Sequence, residues 1–130
     1  MTKEEYIKYW IEQANDDWGA VDTLFNGNKN LQSLFFAHLT IEKLCKSFWI
    51  KSNKDNVPPK THNLNYILSQ TNIELPDNYG ELLLNLNRFQ IEGRYPEYIS
   101  KMSSLCTKDF TKDILIQTNE LRLWLIEKLQ

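Results

Sequence analysis

The chain has 130 residues, 42% of them hydrophobic and 25% charged, with 12% aromatics and only 4 Gly and 4 Pro. That is enough apolar surface for one folded domain spanning residues 1–130, and it excludes a disordered, fibrous or low-complexity chain. A net charge of −2 and a pI near 5.7 exclude whole-molecule attraction to nucleic acid or anionic membrane, leaving only a local basic patch for such contacts.

From Lys3 to Phe25 the apolar positions Ile7, Trp10, Ile11, Ala14, Trp18, Val21, Leu24 and Phe25 recur at steps of three and four. This spacing predicts an amphipathic helix, stopped by Asn26-Gly27-Asn28, with Glu4, Glu12, Asp16 and Asp22 on its solvated face. The next segment, Leu31 to about Lys51, carries two adjacent apolar rows, one through Leu34, Ala37, Ile41, Leu44 and Phe48, the other through Leu31, Phe35, Leu39, Cys45 and Trp49. So wide a stripe predicts a central helix with neighbours on two sides. Residues 52–60 form a polar loop closed by Pro58-Pro59, which holds the chain extended into Thr61. Thr61 is the expected N-cap of a short helix through about Gln70. Leu75-Pro76-Asp77 then opens a helix to about Glu92, with Leu82, Leu83, Leu86 and Phe89 inward and Gly93 as its stop. Residues 94–107 have no clear period, and Asp109 to Leu129 is again strongly helical. No strand alternation or hairpin signal occurs. The expected fold is all-α, an antiparallel up-and-down bundle of four long helices and one short one.

Cys45 and Cys106 show no CxxC spacing and no clustered histidines accompany them, so neither a zinc site nor a disulfide framework is expected. The polar N-terminus lacks the basic start and apolar run of a secretory signal, and no stretch approaches the roughly 18 apolar residues of a membrane span. A cytoplasmic protein without a cofactor, metal or membrane contact is the expectation.

Chemistry-bearing residues cluster in three places. His38 and Glu42 lie one turn apart on the central helix, where their side chains can meet as a buried polar pair, and Lys46 is four residues beyond Glu42. Lys43, Lys46, Lys51, Lys54 and Lys60 outnumber Glu42 and Asp55 across residues 42–60, a basic stretch able to meet phosphate or an acidic partner. Arg88 and Arg94 flank Gly93, and two guanidinium groups near a helix end suit a phosphate clamp or a pair of surface ion pairs with Glu92 or Glu97. Trp10, Trp18, Trp49 and Trp124 each fall at helical core spacing.

Three blocks, Ala37-His38-Leu39-Thr40-Ile41-Glu42-Lys43-Leu44-Cys45-Lys46, Pro58-Pro59-Lys60-Thr61-His62-Asn63-Leu64 and Gly93-Arg94-Tyr95-Pro96, together resemble the HEPN domain, the higher-eukaryote and prokaryote nucleotide-binding family. The resemblance implies a helical bundle, usually a homodimer. Members are either metal-independent ribonucleases or non-catalytic modules that bind nucleotide or RNA, some of them beside a minimal nucleotidyltransferase. The nuclease branch uses an Arg followed, after four to six residues, by a His at the dimer cleft. Here Arg88 stands where that Arg is expected, but no His follows His62. Cleavage through the 2′-hydroxyl requires a group that exchanges protons near neutral pH, which imidazole does and guanidinium does not. The role the resemblance implies is therefore a non-catalytic module that binds nucleotide or RNA phosphate and a protein partner, beside a minimal nucleotidyltransferase in a toxin–antitoxin-like or defence system. Arg88, Arg94, Tyr95, Lys43 and Lys46 are its candidate ligand residues, His38 and Glu42 its supporting polar pair, and His62 the residue that fixes the turn. The alternatives are a divergent ribonuclease toxin and a purely structural dimeric protein.

Overall fold

The computed structural model describes residues 1–92 and 94–130, with the side chains of Glu92 and Pro96 left out; Gly93, the expected helix stop, lies outside the described residues. Helix α1 (Lys3–Asn26) opens on a reciprocal cap, in which Glu5 N donates to Thr2 Oγ1 at 3.1 Å and Thr2 N to Glu5 Oε1 at 3.5 Å. It closes at Gly27, and Asn28 takes the left-handed φ of 63° that asparagine tolerates better than most side chains. The chain thus reverses within three residues into α2 (Asn30–Ser52). At the far end the Lys3 ammonium donates to Ile50 O, Asn53 O and Asn56 Oδ1, each at 2.8 Å, so α1 and α2 run antiparallel.

α2 is the central helix that its two apolar rows predict. It packs against α1, against a short α3 (Leu64–Ser69), against α4 (Gly80–Glu92) and α5 (Pro96–Leu105), and against the last helix, α6 (Lys108–Leu129). α6 runs the same way as α2, since Asn30 Nδ2 donates to Cys106 O at one end and Lys51 Nζ to Lys128 O at the other. α4 runs against both: Ser52 and Asn72 meet at the end of α2, whereas Arg94, just past α4, lies over Phe35 near its start. The four long helices therefore alternate in direction along the chain. Their core is one cluster that includes Leu34, Ile41, Leu44, Leu86, Leu121 and Leu125, all fully buried.

The bundle is all-helical among the described residues, and three boundaries differ from expectation. The cap of α3 is Asn63, whose Oδ1 accepts from Tyr66 N at 3.2 Å; Thr61 instead turns its Oγ1 to Asn63 N. A 3-10 turn (Asp77–Tyr79) follows Pro76 before α4 begins at Gly80. The aperiodic stretch 94–107 contains α5, a helix with Tyr98, Ile99 and Leu105 exposed and Met102 fully buried, so that no apolar stripe announces it. The four tryptophans are half-buried, and Trp18, Trp49 and Trp124 pack against the core cluster. Trp10, Trp18 and Trp124 lie under Lys46, Arg122 and Lys128, and Trp49 Nε1 donates to Gln70 Oε1.

Candidate functional site

The site grows out of the chain reversal after α2. Residues 53–63 climb back along α2, and α3 then descends beside it, held at its end by Asn53 Nδ2 donating to both Trp49 O and Gln70 O. The top of this excursion is pinned by histidine chemistry. His62 Nδ1 donates to Glu42 Oε1 at 2.7 Å, and the other oxygen of Glu42 accepts from Lys46 Nζ at 3.2 Å. Glu42 is only 4% exposed, so both its oxygens need partners, and it has a charged one and an imidazole.

The structure keeps the expected His38–Glu42 pair as a buried charge contact, without a hydrogen bond between them. His38 Nδ1 stands 3.9 Å from Glu42 Oε1, beyond hydrogen-bond range, and has no hydrogen-bond partner among the described residues. His38 turns its Nε2 to the carbonyl of His62 at 2.8 Å. A carbonyl only accepts, so the proton of neutral His38 sits on Nε2. Burial lowers the His38 pKa below the ordinary 6.5, opposed in part by the Glu42 carboxylate and the His62 carbonyl. The two polar residues on α2 thus grip one residue of the turn, Glu42 by its ring and His38 by its backbone.

The other candidates are more dispersed. Lys43 is paired with Asp17 of α1 at 2.6 Å, and Lys46 is taken up by Glu42 and by the Trp10 ring at 5.6 Å. Neither ammonium is open for a phosphate. Arg94 donates to the Gln90 amide oxygen through Nη2 at 2.6 Å and Nε at 2.8 Å, in the amide orientation that satisfies both groups, and lies over the Phe35 ring at 5.7 Å. Arg88, on the exposed side of α4, acts on the Cys106 thiol, whose pKa burial raises and this guanidinium pulls back. Tyr95 is exposed and meets Tyr98 edge-on at 6.4 Å.

Sequence reasoning missed Asn87 and Gln90, which complete the site. Asn87 accepts from Leu64 N at 3.1 Å and donates to Asn65 Oδ1 at 2.8 Å, docking α3 on α4. Gln90 carried one available signal, its spacing of four residues before Arg94. Together Thr61, His62, Asn63, Asn87, Gln90 and Ile91 line a cleft of about 230 Å³ between the turn and the end of α4. None of these six carries a carboxylate. A larger concavity of about 520 Å³ lies at the other end of α2, but its Lys51 is bonded to Lys128 O and its Lys128 covers Trp124.

No helix among the described residues is long and apolar enough to cross a membrane, and no three His, Cys, Asp or Glu side chains among them are grouped to hold a metal ion. No curated protein and no solved structure matches the chain. The model of the HEPN domain matches residues 7–129, from Ile7 in α1 to the last residue of α6. The match takes in α2, the turn gripped by His38 and Glu42, and the α4 exit with Arg94, and points to a nucleotide- or RNA-related role. The chain belongs to the HEPN domain family.

Proposed function

We propose that this chain is a one-domain, non-catalytic HEPN module that binds the phosphate of a nucleotide or RNA at the α4 exit. In this reading it acts in the cytoplasm as a homodimer beside a nucleotidyltransferase-type protein, in a toxin–antitoxin-like or defence system. The observation that carries it is the cleft lined, among the described residues, by Thr61, His62, Asn63, Asn87, Gln90 and Ile91, none of them a carboxylate, with the Arg94 guanidinium bonded to Gln90 at its edge. Hydrogen-bonding amides, an imidazole and a neighbouring guanidinium, without an opposing carboxylate in the lining, favour an anionic ligand. The non-catalytic part rests on the sequence, in which no His follows Arg88 to complete the Arg–His pair. The dimer is supported by Leu84 and Ile91, 64% and 56% exposed and two turns apart on α4, with the exposed Tyr95 and Tyr98 beyond them.

Thermal unfolding with nucleotides and short RNAs tests this reading. A ligand at 100 times its dissociation constant adds about 2.7 kcal/mol, which is several degrees for a domain of this size. The rise should appear in the wild type and shrink in Arg88→Ala/Arg94→Ala; no rise with any nucleotide or RNA rejects phosphate binding. One observation favours a second reading, a divergent metal-independent ribonuclease: the His62 side chain is 49% exposed and its Nε2 has no partner among the described residues. Metal-free incubation with RNA separates the two, since only the second predicts cut strands that His62→Gln leaves intact.

A further inference from the structure

The two nitrogens of His62 face different worlds. Nδ1 is fixed on Glu42 at 2.7 Å, and Glu42 is in turn neutralised by Lys46 at 3.2 Å. The ring is therefore held in one orientation by a buried carboxylate while half of the side chain remains open, and it lines the cleft with Asn63, Asn87 and Gln90. A carboxylate behind an imidazole sets which nitrogen carries the proton and compensates positive charge that develops on the ring.

We propose that His62, as an imidazolium supported by the Glu42 carboxylate, reads the ligand's phosphate group by donating from Nε2, and that Glu42 is its positioning residue. This rests on the reading that the cleft binds nucleotide or RNA phosphate, and adds to it a recognition residue on the turn rather than on the α4 exit. The size of the cleft limits what enters. At about 230 Å³ it lies below the roughly 300 Å³ at which pockets for whole small molecules begin, so it takes the phosphate end of the ligand. The charged and titratable groups around the ring are Glu42, with Lys46 and His38 beside it on α2. α4 contributes the neutral amides Asn87 and Gln90 to the cleft, with Arg94 bonded behind Gln90. Among the described residues the carboxylate bonded to the ring is Glu42, on Nδ1.

Heteronuclear NMR of the full chain, observing the ring signals of His62 during titration with inorganic phosphate, methyl phosphate, uridine 3′-monophosphate and uridine, tests the assignment. The three phosphates should move the His62 signals and uridine should not. His62→Gln should weaken uridine monophosphate binding about tenfold. Glu42→Gln, which keeps an acceptor for Nδ1 but removes the charge, should weaken it severalfold and shrink the phosphate-induced movement of the His62 ring signals, a readout that a merely structural role would not move. Equal response to uridine overturns phosphate recognition. If nucleotides raise the melting temperature equally in wild type and in His62→Gln, the cleft binds phosphate without His62, and this assignment falls while the broader reading stands. If no nucleotide shifts either melting or NMR signals, both fall together.

Discussion

Glu42 and His62, separated by 20 residues, meet at 2.7 Å and fasten the turn before α3 to the middle of α2. Removing the acid leaves Lys46, whose side chain is only 12% exposed, without its anion. Glu42→Ala should therefore cost about 2–4 kcal/mol, below the full penalty for a buried pair because His62 is half open to water. His62→Ala should cost about 1 kcal/mol. A double-mutant cycle by urea unfolding should give a coupling of about 1 kcal/mol; additive effects would mean that the contact contributes nothing to stability.

His38 ties stability to pH. Burial holds its folded pKa below the ordinary 6.5, so below about pH 6.5 the unfolded chain binds a proton that the folded one refuses. This contribution is fully present above pH 6.5 and is lost as the pH falls toward the folded pKa, with a slope approaching about 1.4 kcal/mol per pH unit. Wild type should lose stability between pH 7 and 5 more steeply than His38→Gln in denaturant melts at matched ionic strength. Parallel curves would show that His38 is protonated alike in both states.

The architecture was legible because apolar residues at steps of three and four, with polar residues between them, place one face of a helix against a core. The double row on α2 even announced its central place. α5 was not legible, since only Met102 is fully buried among its large apolar residues and exposed Tyr98, Ile99 and Leu105 scramble the period. At the site, spacing placed His38 and Glu42 together, but a buried carboxylate takes the partners that tertiary folding brings nearest. Here these are Lys46 and His62, the second supplied by a loop whose path no local pattern encodes. The same reason hid the engagement of Lys43 by Asp17, which lies on another helix.

Lys43 and Asp17 bridge α2 and α1 at 2.6 Å with side chains 22% and 15% exposed. The contact is a charge pair rather than an aligned hydrogen bond, since Asp17 Oδ2 meets no hydrogen-bond geometry. Lys43→Met should lower stability by about 1 kcal/mol and leave any nucleotide-induced shift in melting temperature unchanged. Loss of the ligand response with stability intact would return Lys43 to the phosphate site.

The exposed faces of Leu84 and Ile91 lie on one side of α4. If this side is the dimer seam, Ile91→Glu introduces two like charges across the symmetry axis and strips an apolar contact from each copy. Sedimentation equilibrium should then find a dimer for wild type and a monomer for Ile91→Glu, with helical content retained by circular dichroism. A wild-type monomer at all concentrations would remove the homodimer, and a variant that stays dimeric would move the seam elsewhere.

Both thiols are free, buried and hard to ionise. Desolvation raises the pKa of each, and at Cys45 the neighbouring Glu42 pushes the same way while Lys46 opposes. A maleimide therefore reacts only through opening of the structure. Cys45 lies in the middle of α2, against the core cluster, so its exposure requires global unfolding. Cys106 follows α5 at the edge of the bundle, where the helix presents Tyr98, Ile99 and Leu105 to solvent and has little buried surface to hold it. Under native conditions Cys106 should be labelled first and Cys45 only at the global unfolding rate, as read by mass spectrometry over time. Equal rates would mean that α5 opens only with the whole bundle, and immediate labelling of Cys45 would contradict its place in the core.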